Sequence, residues 1–385
     1  MKIALVAPDD FSIWHFRKYL IKALKERGCN VYAISTAGEY VGLIESLGAV
    51  HIPVEMNRFM SPMKDLKFLM ALYDIFRTEK FDSVHNFTIK PNIYSAIAAR
   101  VAGIKKIIGS VTGLGFVYSD NSELKLRRLR PVINKLYWLG FKLSDKVWFQ
   151  NADDLAFFVS SHLIDKQKAV IIKGSGVNLQ EYWLYSLDSN KIVELKKELG
   201  ANALTKFVVM VVARVVWSKG VKEFIEASEI LKEKYPFTKF ILVGPIEKGS
   251  PLSVPQEYLR EKEKSENFQW LGFRKDIKEI LTLSDLVVLP SYYREGIPRS
   301  LLEAMALEKP IITTNSVGCK EVVEDGKNGY LIPIKDSKAL ADAIEVLIND
   351  DKKRADFGRY SRLKAEKEFD EKVVVDRIIK ELYEL

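Results

Sequence analysis

The chain has 385 residues, 48% of them hydrophobic and 29% charged, with a formal net charge of +8 and two cysteines. That length exceeds one ordinary domain, and the composition is that of a globular protein rather than a disordered or fibrous one. Cys29 and Cys319 make neither a disulfide framework nor a zinc pattern, which favours a reducing compartment, and His15, His51, His85 and His162 are scattered without ligand spacing.

The charge is unevenly spread. Residues 1–180 hold 25 Lys+Arg and 16 Asp+Glu, a net +9, whereas the rest hold 34 and 35, a net −1. An anionic partner is therefore expected for the first half, and nucleic acid and an anionic membrane surface both qualify.

The opening MKIALVAPDD has too short an apolar run for a signal peptide and reads as a first strand. HFRKYLIKALKERG follows as an amphipathic helix closed by Gly28, then NVYAIS as a strand and EYVGLIESLG as a helix. SVHNF (83–87) and KKIIGSV (105–111) are strands flanking a helix over 91–103 that starts at Pro91. KVWFQN (146–151) and KAVIIKGSG (168–176) complete this half. Residues 177–205 are polar and less regular and read as a linker with a helix leading onward.

The second half restarts the rhythm with FVVMVVAR, a helix over VKEFIEASEILKEKY, then TKFILVGP and FQWLG as strands. A helix RKDIKEILTLS, the strand DLVVLP, a helix PRSLLEAMALE and the strand PIITTN come next, with more helix from about residue 337. The longest apolar run, VVMVVA at 208–213, stops at Arg214, far short of the ~20 residues of a membrane span. Strands alternating with helices imply parallel sheets covered on both faces. The expectation is α/β, two Rossmann-like doubly wound domains over about 1–180 and 200–365.

In open α/β sheets ligands sit beyond the carboxyl ends of strands. Two clusters lie there. In VVARVVWSKGVKEF, Arg214 ends an apolar strand and Lys219 follows five residues later beside Gly220. Both suit a diphosphate, the arginine as a fork and the lysine as a point charge; the alternative is two surface cations in an ordinary loop. In SYYREGIPRSLLEAMALEKP (291–310), Pro298 favours a helix start, which leaves Ile297 as a poor N-cap. The amides of Arg299 and Ser300 are then open to a ligand, faced by Glu295 and Gly296. The alternative is a frayed helix with exposed Glu295 and Glu303.

Taken together, these motifs resemble a family. EGIPRSLLEA is similar to the Glu-x7-Glu signature of the retaining glycosyltransferases of family 4, which have the GT-B fold, and ARVVWSKGVKEF is similar to that family's Arg/Lys diphosphate motif. LVGP (242–245), WLGFRKDI (270–277), SDLVVLPSYYREG (284–296) and GCKEVVEDGKNGYLIP (318–333) fall in the family's order. VHNFTIKPNIYSAIAAR, GSVTGLGFVY and FQNADD resemble a bacterial subgroup that extends lipid-diphosphate-linked glycans.

The resemblance implies a retaining hexosyltransferase using a nucleotide-sugar donor, UDP-linked by the subgroup, and an interdomain cleft. Glu303 would hold the donor ribose, Glu295 the donor sugar, and Arg214 and Lys219 the leaving diphosphate. Gly244 and Arg274 would sit in loops that hold the base, and the loop 314–320 would assist. It also implies a last helix, 366–385, that packs back on the first domain. The chain has no Asp-x-Asp, so the cations and the helix start must stabilise the developing charge, and metal-independent transfer without a cofactor is expected.

In the first half, APDDFSIWHF lacks the glycine-rich loop that the family often has after its first strand. That casts doubt on close approach to phosphates there and argues against a nicotinamide oxidoreductase, whose dinucleotide fingerprint needs Gly-x-Gly-x-x-Gly at this place. His85, ending VHNF, is the leading candidate for a donor-sugar or acceptor contact; the alternative is a histidine satisfied within the sheet. His15 either points into the cleft or caps its helix, with the helix favoured. Gly113 and Gly115 in TGLGF let backbone approach a substrate or form a tight turn, and Asn151 is expected to line the cleft.

The basic, aromatic stretch 123–143, with Lys125, Arg127, Arg128, Arg130 and Lys135, and the stretch 58–70 read either as interfacial segments on anionic lipid or as solvated helix faces. A lipid-diphosphate acceptor would reward a peripheral position on the inner face of the cytoplasmic membrane. A nucleic-acid binder would explain the charge but not the strand-end clusters, so no nucleic-acid partner is expected. A UDP-sugar epimerase of GT-B type and an inactive sugar-nucleotide-binding protein are the competing functions; the paired Glu295/Glu303 and Arg214/Lys219 argue against both.

Overall fold

The computed structural model describes residues 1–385 except 58–60, 115–117, 119–123, 184–188, 200–204 and 248, and excepting the side chains of 124–127 and 189. The chain forms two compact units, one made of Met1–Ser175 with Glu371–Leu385 and the other of Gly176–Asp370.

The first unit holds a seven-stranded parallel sheet. Its strands are β1 (Lys2–Asp9), β2 (Asn30–Thr36), β3 (Val50–Pro53), β4 (Ser83–Phe87), β5 (Lys106–Val111), β6 (Lys146–Phe149) and β7 (Ala169–Ile171). Their order is β3-β2-β1-β4-β5-β6-β7. The second unit holds a six-stranded parallel sheet of β8 (Phe207–Val212), β9 (Thr238–Val243), β10 (Phe268–Trp270), β11 (Leu286–Leu289), β12 (Ile311–Thr314) and β13 (Gly329–Ile332), ordered β10-β9-β8-β11-β12-β13. Both orders are doubly wound. Each sheet reverses direction once, between β1 and β4 and between β8 and β11, and that reversal opens a crevice at the carboxyl ends of the two strands.

The strands read as unbroken apolar runs because helices cover both faces. All of β11 and all of β12 are buried, as is β8 up to its last residue. The edge strand β3, VHIP, carries too little pattern to be read from sequence; Pro53 tolerates the end of an edge strand, where a missing donor is not felt.

The linker expectation needs adjusting. Residues from Gly176 onward already belong to the second unit, since the Val177 amide donates to the Phe369 carbonyl (2.8 Å). The chain returns to the first unit at Glu371, not at 366. There the helix Glu371–Ile378 and the turn Ile379–Tyr383 bury Val374, Val375, Ile378, Ile379, Leu382 and Tyr383 in one core with Ile3 and Leu5 of β1 and Ile13 and Ile21 of the helix Asp10–Glu26. Among the described residues no helix is long and apolar enough to cross a membrane.

Candidate active site

The second unit brings Arg214, Lys219 and Glu295 together at the sheet reversal, beyond β8 and β11. The loops there are packed backbone to backbone. Gly220 (φ +78°) brings the end of the β8 loop so close to the one after β11 that a Cβ would lie 2.2 Å from the Pro290 carbonyl oxygen. Gly318 (φ +82°), beyond β12, lies so close to the same loop that a Cβ would sit 1.9 Å from the Gly296 oxygen. Only glycine meets both demands, a left-handed backbone and no side chain. The Ser218 carbonyl accepts the amides of Tyr292 (3.0 Å) and Tyr293 (3.1 Å), which locks the two loops in register.

Within this frame Lys219 Nζ pairs with Glu295 Oε1, and both side chains are nearly buried. Ser291 Oγ donates to the same oxygen (3.0 Å), and the Ser291 carbonyl in turn accepts the hydroxyls of Thr314 and Ser316 (3.1 Å for Ser316). Glu295 is thus fixed from three strand ends. Tyr293 joins the cations: its ring centroid lies 5.4 Å from Lys219 Nζ and 5.9 Å from the Arg214 guanidinium, so both charges face one aromatic ring. Arg214 also donates from Nη1 to both carboxylate oxygens of Glu247 (2.8 Å each). Cys319, buried beside Glu295, has its thiol pushed up to about 11 by burial, so it is inert packing rather than a nucleophile.

The helix carrying Glu303 runs Arg299–Ala306, one residue later than the proline rule suggested. Pro298 itself is the N-cap (φ −64°, ψ 116°), Ile297 precedes the cap and is buried, and no side chain caps the helix. Arg299 Nε donates to Glu303 Oε1 (2.8 Å), one turn along. The Tyr182 phenol, its pKa raised well above the ordinary value by burial and then by Glu303, lies against the same carboxylate. Ser300 is half-buried at the start of the helix and Gly296 is buried. Gly244 closes β9, donating to the Gly272 carbonyl (2.8 Å) and accepting from Trp270 Nε1 (2.9 Å).

Other expected residues are engaged elsewhere. Arg274 is held between Asp276 (Nη2 to Oδ2, 2.7 Å) and Glu198, which ties the helix Ser189–Glu198 to the loop after β10. In the first unit His85 is completely buried, with Nδ1 bonded to the Tyr383 hydroxyl (2.7 Å) and Nε2 to Ser110 Oγ (2.6 Å). Burial first, and the nearby Arg17 charge second, hold its pKa well below 6.5. Both ring nitrogens are engaged, Nδ1 by Tyr383 of the turn Ile379–Tyr383 and Nε2 by Ser110 of β5, so His85 has the satisfied-in-the-sheet role and offers no atom to a substrate.

Asn151 caps the helix Ala152–Ser160, accepting the Asp154 amide (2.7 Å) and donating to the Asp154 carboxylate (3.0 Å); that is a cap, not a cleft contact. His15 does not cap its helix, because Asp9 does, accepting the Ser12 amide (2.7 Å). The His15 ring instead stacks near Phe11 (4.2 Å) and Tyr40 (5.1 Å). Gly113 has the positive φ (113°) of a turn glycine; Gly115 and the side chains of Lys125 and Arg127 lie outside the described residues. Among the described residues no three His, Cys, Asp or Glu are grouped to hold a metal.

Sequence reading missed Tyr182, Glu247, Ser291 and Tyr293. Ser291 and Tyr293 follow β11 inside the quoted motif and could have been named on position alone. Tyr182 and Glu247 come from segments far apart in sequence and carry no local pattern.

Two doubly wound parallel units with carboxylates and cations at the sheet reversal define a GT-B glycosyltransferase. Solved structures share this fold over the whole chain: Anabaena HepE in complex with UDP and glucose (TM-score 0.81, 22% identity, 100% of both chains) and WaaG, a glycosyltransferase involved in lipopolysaccharide biosynthesis (TM-score 0.74, 16% identity, 99% of both). Residues 2–151 match the family described as glycosyl transferase 4-like, and residues 193–364 match glycosyl transferases group 1. The chain is 34% identical over 381 residues to the N,N'-diacetylbacillosaminyl-diphospho-undecaprenol alpha-1,3-N-acetylgalactosaminyltransferase of Campylobacter jejuni (99% of this chain, 98% of that protein). It is 30% identical over 312 residues to the UDP-Gal:alpha-D-GlcNAc-diphosphoundecaprenol alpha-1,3-galactosyltransferase of Escherichia coli (80% and 77%). The chain belongs to glycosyltransferase family 4.

Proposed function

We propose that the chain transfers a hexose or N-acetylhexosamine from a UDP-sugar to a saccharide carried on a lipid diphosphate, with retention of the anomeric configuration. The observation that carries this reading is the Lys219–Glu295 pair, fixed by Ser291 beside an uncapped helix start. Supporting it, the Campylobacter and Escherichia relatives are named for α-1,3 transfer onto diphosphoundecaprenol-linked sugars, and the HepE structure holds UDP and glucose.

In this reading Glu295 holds hydroxyls of the donor sugar and Glu303 the ribose. Arg214, Lys219 and the amides at the start of the helix Arg299–Ala306 take the charge that builds on the leaving diphosphate. The bond from the anomeric carbon to the β-phosphate oxygen breaks as the acceptor oxygen bonds to that carbon from the same face. The acceptor proton passes to the departing phosphate. Because protein cations carry this charge, transfer proceeds without a divalent metal.

The acceptor's lipid would bring the first unit against the inner face of the cytoplasmic membrane. On the helix Pro62–Glu79, Met63, Leu66 and Met70 are exposed beside exposed Lys64 and Lys67. On the helix Leu124–Leu143, Val132 and Trp138 are exposed beside Arg128, Lys135 and Lys142. Apolar side chains interleaved with cations suit an anionic bilayer surface.

Calorimetric titration with UDP, with and without EDTA, tests the donor site, and transfer by Glu295→Ala tests the chemistry. UDP binding that survives EDTA, with transfer in the variant lowered by about a thousandfold, is expected. Wild-type turnover by Glu295→Ala, or binding only with metal, would overturn the respective assignment.

A further inference from the structure

Three cations meet carboxylates in the second unit's site, yet Arg214 differs from Lys219 and Arg299. Its partner, Glu247, has no counterpart among the motifs read from sequence. Glu247 engages a single nitrogen, Nη1, with both its oxygens at 2.8 Å. Among the described residues Nη2 and Nε make no hydrogen bond, and the Arg214 side chain is 38% exposed whereas that of Glu247 is 8% exposed. One corner of the fork is clamped and the other two nitrogens are presented.

The clamp is rigidly mounted. The loop after β9 runs beside the loop after β8 as an irregular ribbon: the Val215 amide donates to the Pro245 carbonyl (2.9 Å), Trp217 to Leu252 (2.9 Å) and Val254 to Val215 (3.3 Å). Ser253 Oγ donates to the Glu247 carbonyl itself (2.8 Å). Val215 and Ile246 form a parallel bridge and Val216 and Ser253 an antiparallel one. Glu247 therefore reaches Arg214 from a backbone fixed on the same strand ends as the site.

Resting on the reading of Arg214 as a diphosphate ligand, we infer that Glu247 is a positioning residue that turns the free edge of Arg214 toward the diphosphate and, by its charge, limits how tightly the nucleoside diphosphate product is held. A lone flexible arginine would have to be ordered on each binding event; one clamped at Nη1 is ordered beforehand. An arginine half-neutralised by a carboxylate binds a dianion less strongly than a bare one, which lets the product leave.

Glu247→Gln keeps the shape and an acceptor oxygen but removes the charge. It is expected to bind UDP about three- to tenfold more tightly at low salt, with kcat and KM for donor lowered together as product release slows. Glu247→Ala, which loses the clamp, is expected to lower kcat/KM about tenfold or more. In an Arg214→Ala background, Glu247→Gln should no longer tighten UDP binding, because its action passes through that guanidinium.

UDP affinity is read by calorimetry on the full chain. Unchanged or weaker UDP binding by Glu247→Gln, or the same tightening without Arg214, would overturn the inference while leaving the UDP site of the wild type standing. A wild-type chain that does not bind UDP at all would overturn both.

Discussion

The strands β6 and β11 begin alike and end differently. Residues 143–149 read LSDKVWF and residues 283–289 read LSDLVVL. In each, the serine hydroxyl bonds back into the preceding helix, Ser144 to the Gly140 carbonyl (2.9 Å) and Ser284 to the Leu281 carbonyl (2.7 Å). The aspartate accepts an amide from the neighbouring strand, Ile107 for Asp145 and Val208 for Asp285, both at 2.8 Å. A distant lysine ties the helix end to the turn: Lys168 reaches the carbonyls of Lys142 (2.9 Å) and Ser144 (2.7 Å), and Lys309 those of Thr282 (2.9 Å) and Ser284 (2.7 Å).

At the carboxyl ends the likeness stops. After β6, two residues lead to a helix sealed by Asn151. After β11, nine residues, 290–298, lead to a helix that no side chain caps. The devices that stabilise the sheets sit at the strands' amino ends in both units. The carboxyl end is where one unit closes its helix and the other leaves it available, as the rule for ligand sites in open sheets requires.

The comparison can be broken directly. Pro298→Ser gives the second helix the kind of cap that Asn151 provides in the first. The hydroxyl would take an amide of Ser300 or Leu301, adding about 1 kcal/mol to stability while weakening UDP binding roughly ten- to a hundredfold, the value of a hydrogen bond to a charged group. Calorimetry with thermal melting reads both; unchanged UDP affinity would show that the ligand does not use this helix start.

A smaller effect sharpens the contrast at β4. His85 is held neutral when folded, its pKa well below the 6.5 of a free imidazole. As pH falls through 6.5 the unfolded chain takes up a proton that the folded chain refuses, so stability is lost toward acid, approaching about 1.4 kcal/mol per pH unit. Denaturant titrations between pH 7 and 5 should show a shallower loss for His85→Gln than for the wild type; parallel slopes would mean that His85 takes up its proton in the fold as readily as in the unfolded chain.

Smallest of all, Asn151→Ala should cost about 1 kcal/mol of stability and leave UDP affinity unchanged, since its amide is engaged with Asp154. A loss of UDP affinity beyond what melting explains would return Asn151 to the ligand.

Much of this was legible in sequence where pattern and chemistry are local. The apolar runs of β8 and β11 marked buried parallel strands, and Arg214, Lys219, Glu295 and Glu303 stood where those strands end. The missing cap was readable from proline alone, although it falls at Pro298 and not at Ile297. The first half was harder because its polar residues answer to distant partners. Nothing near VHNF shows that His85 meets Tyr383, 298 positions away. The second half has one such case, since nothing in LVGPIEK shows that Glu247 meets Arg214. Asn151 is a different case: its place after β6 suggests a residue lining the cleft, yet an asparagine three residues before Asp154 and opening an apolar helix is also a cap signal, and the cap is what forms.

The return of Glu371–Leu385 to the first unit also orders the chain's birth. The second unit is written without interruption, so all of its residues are synthesised before the helix Glu371–Ile378 that completes the first. The first unit, though begun earlier, waits for Tyr383 to occupy its core and to satisfy His85. Until Glu371–Leu385 are in place, the helix Asp10–Glu26 lacks the apolar partners that cover Ile13 and Ile21, and the His85 imidazole is short of one bond. Folding of the first unit is therefore decided after the whole second unit has been synthesised, and a chain cut short before Glu371 would keep every residue of the later unit while the earlier one became a client for chaperones.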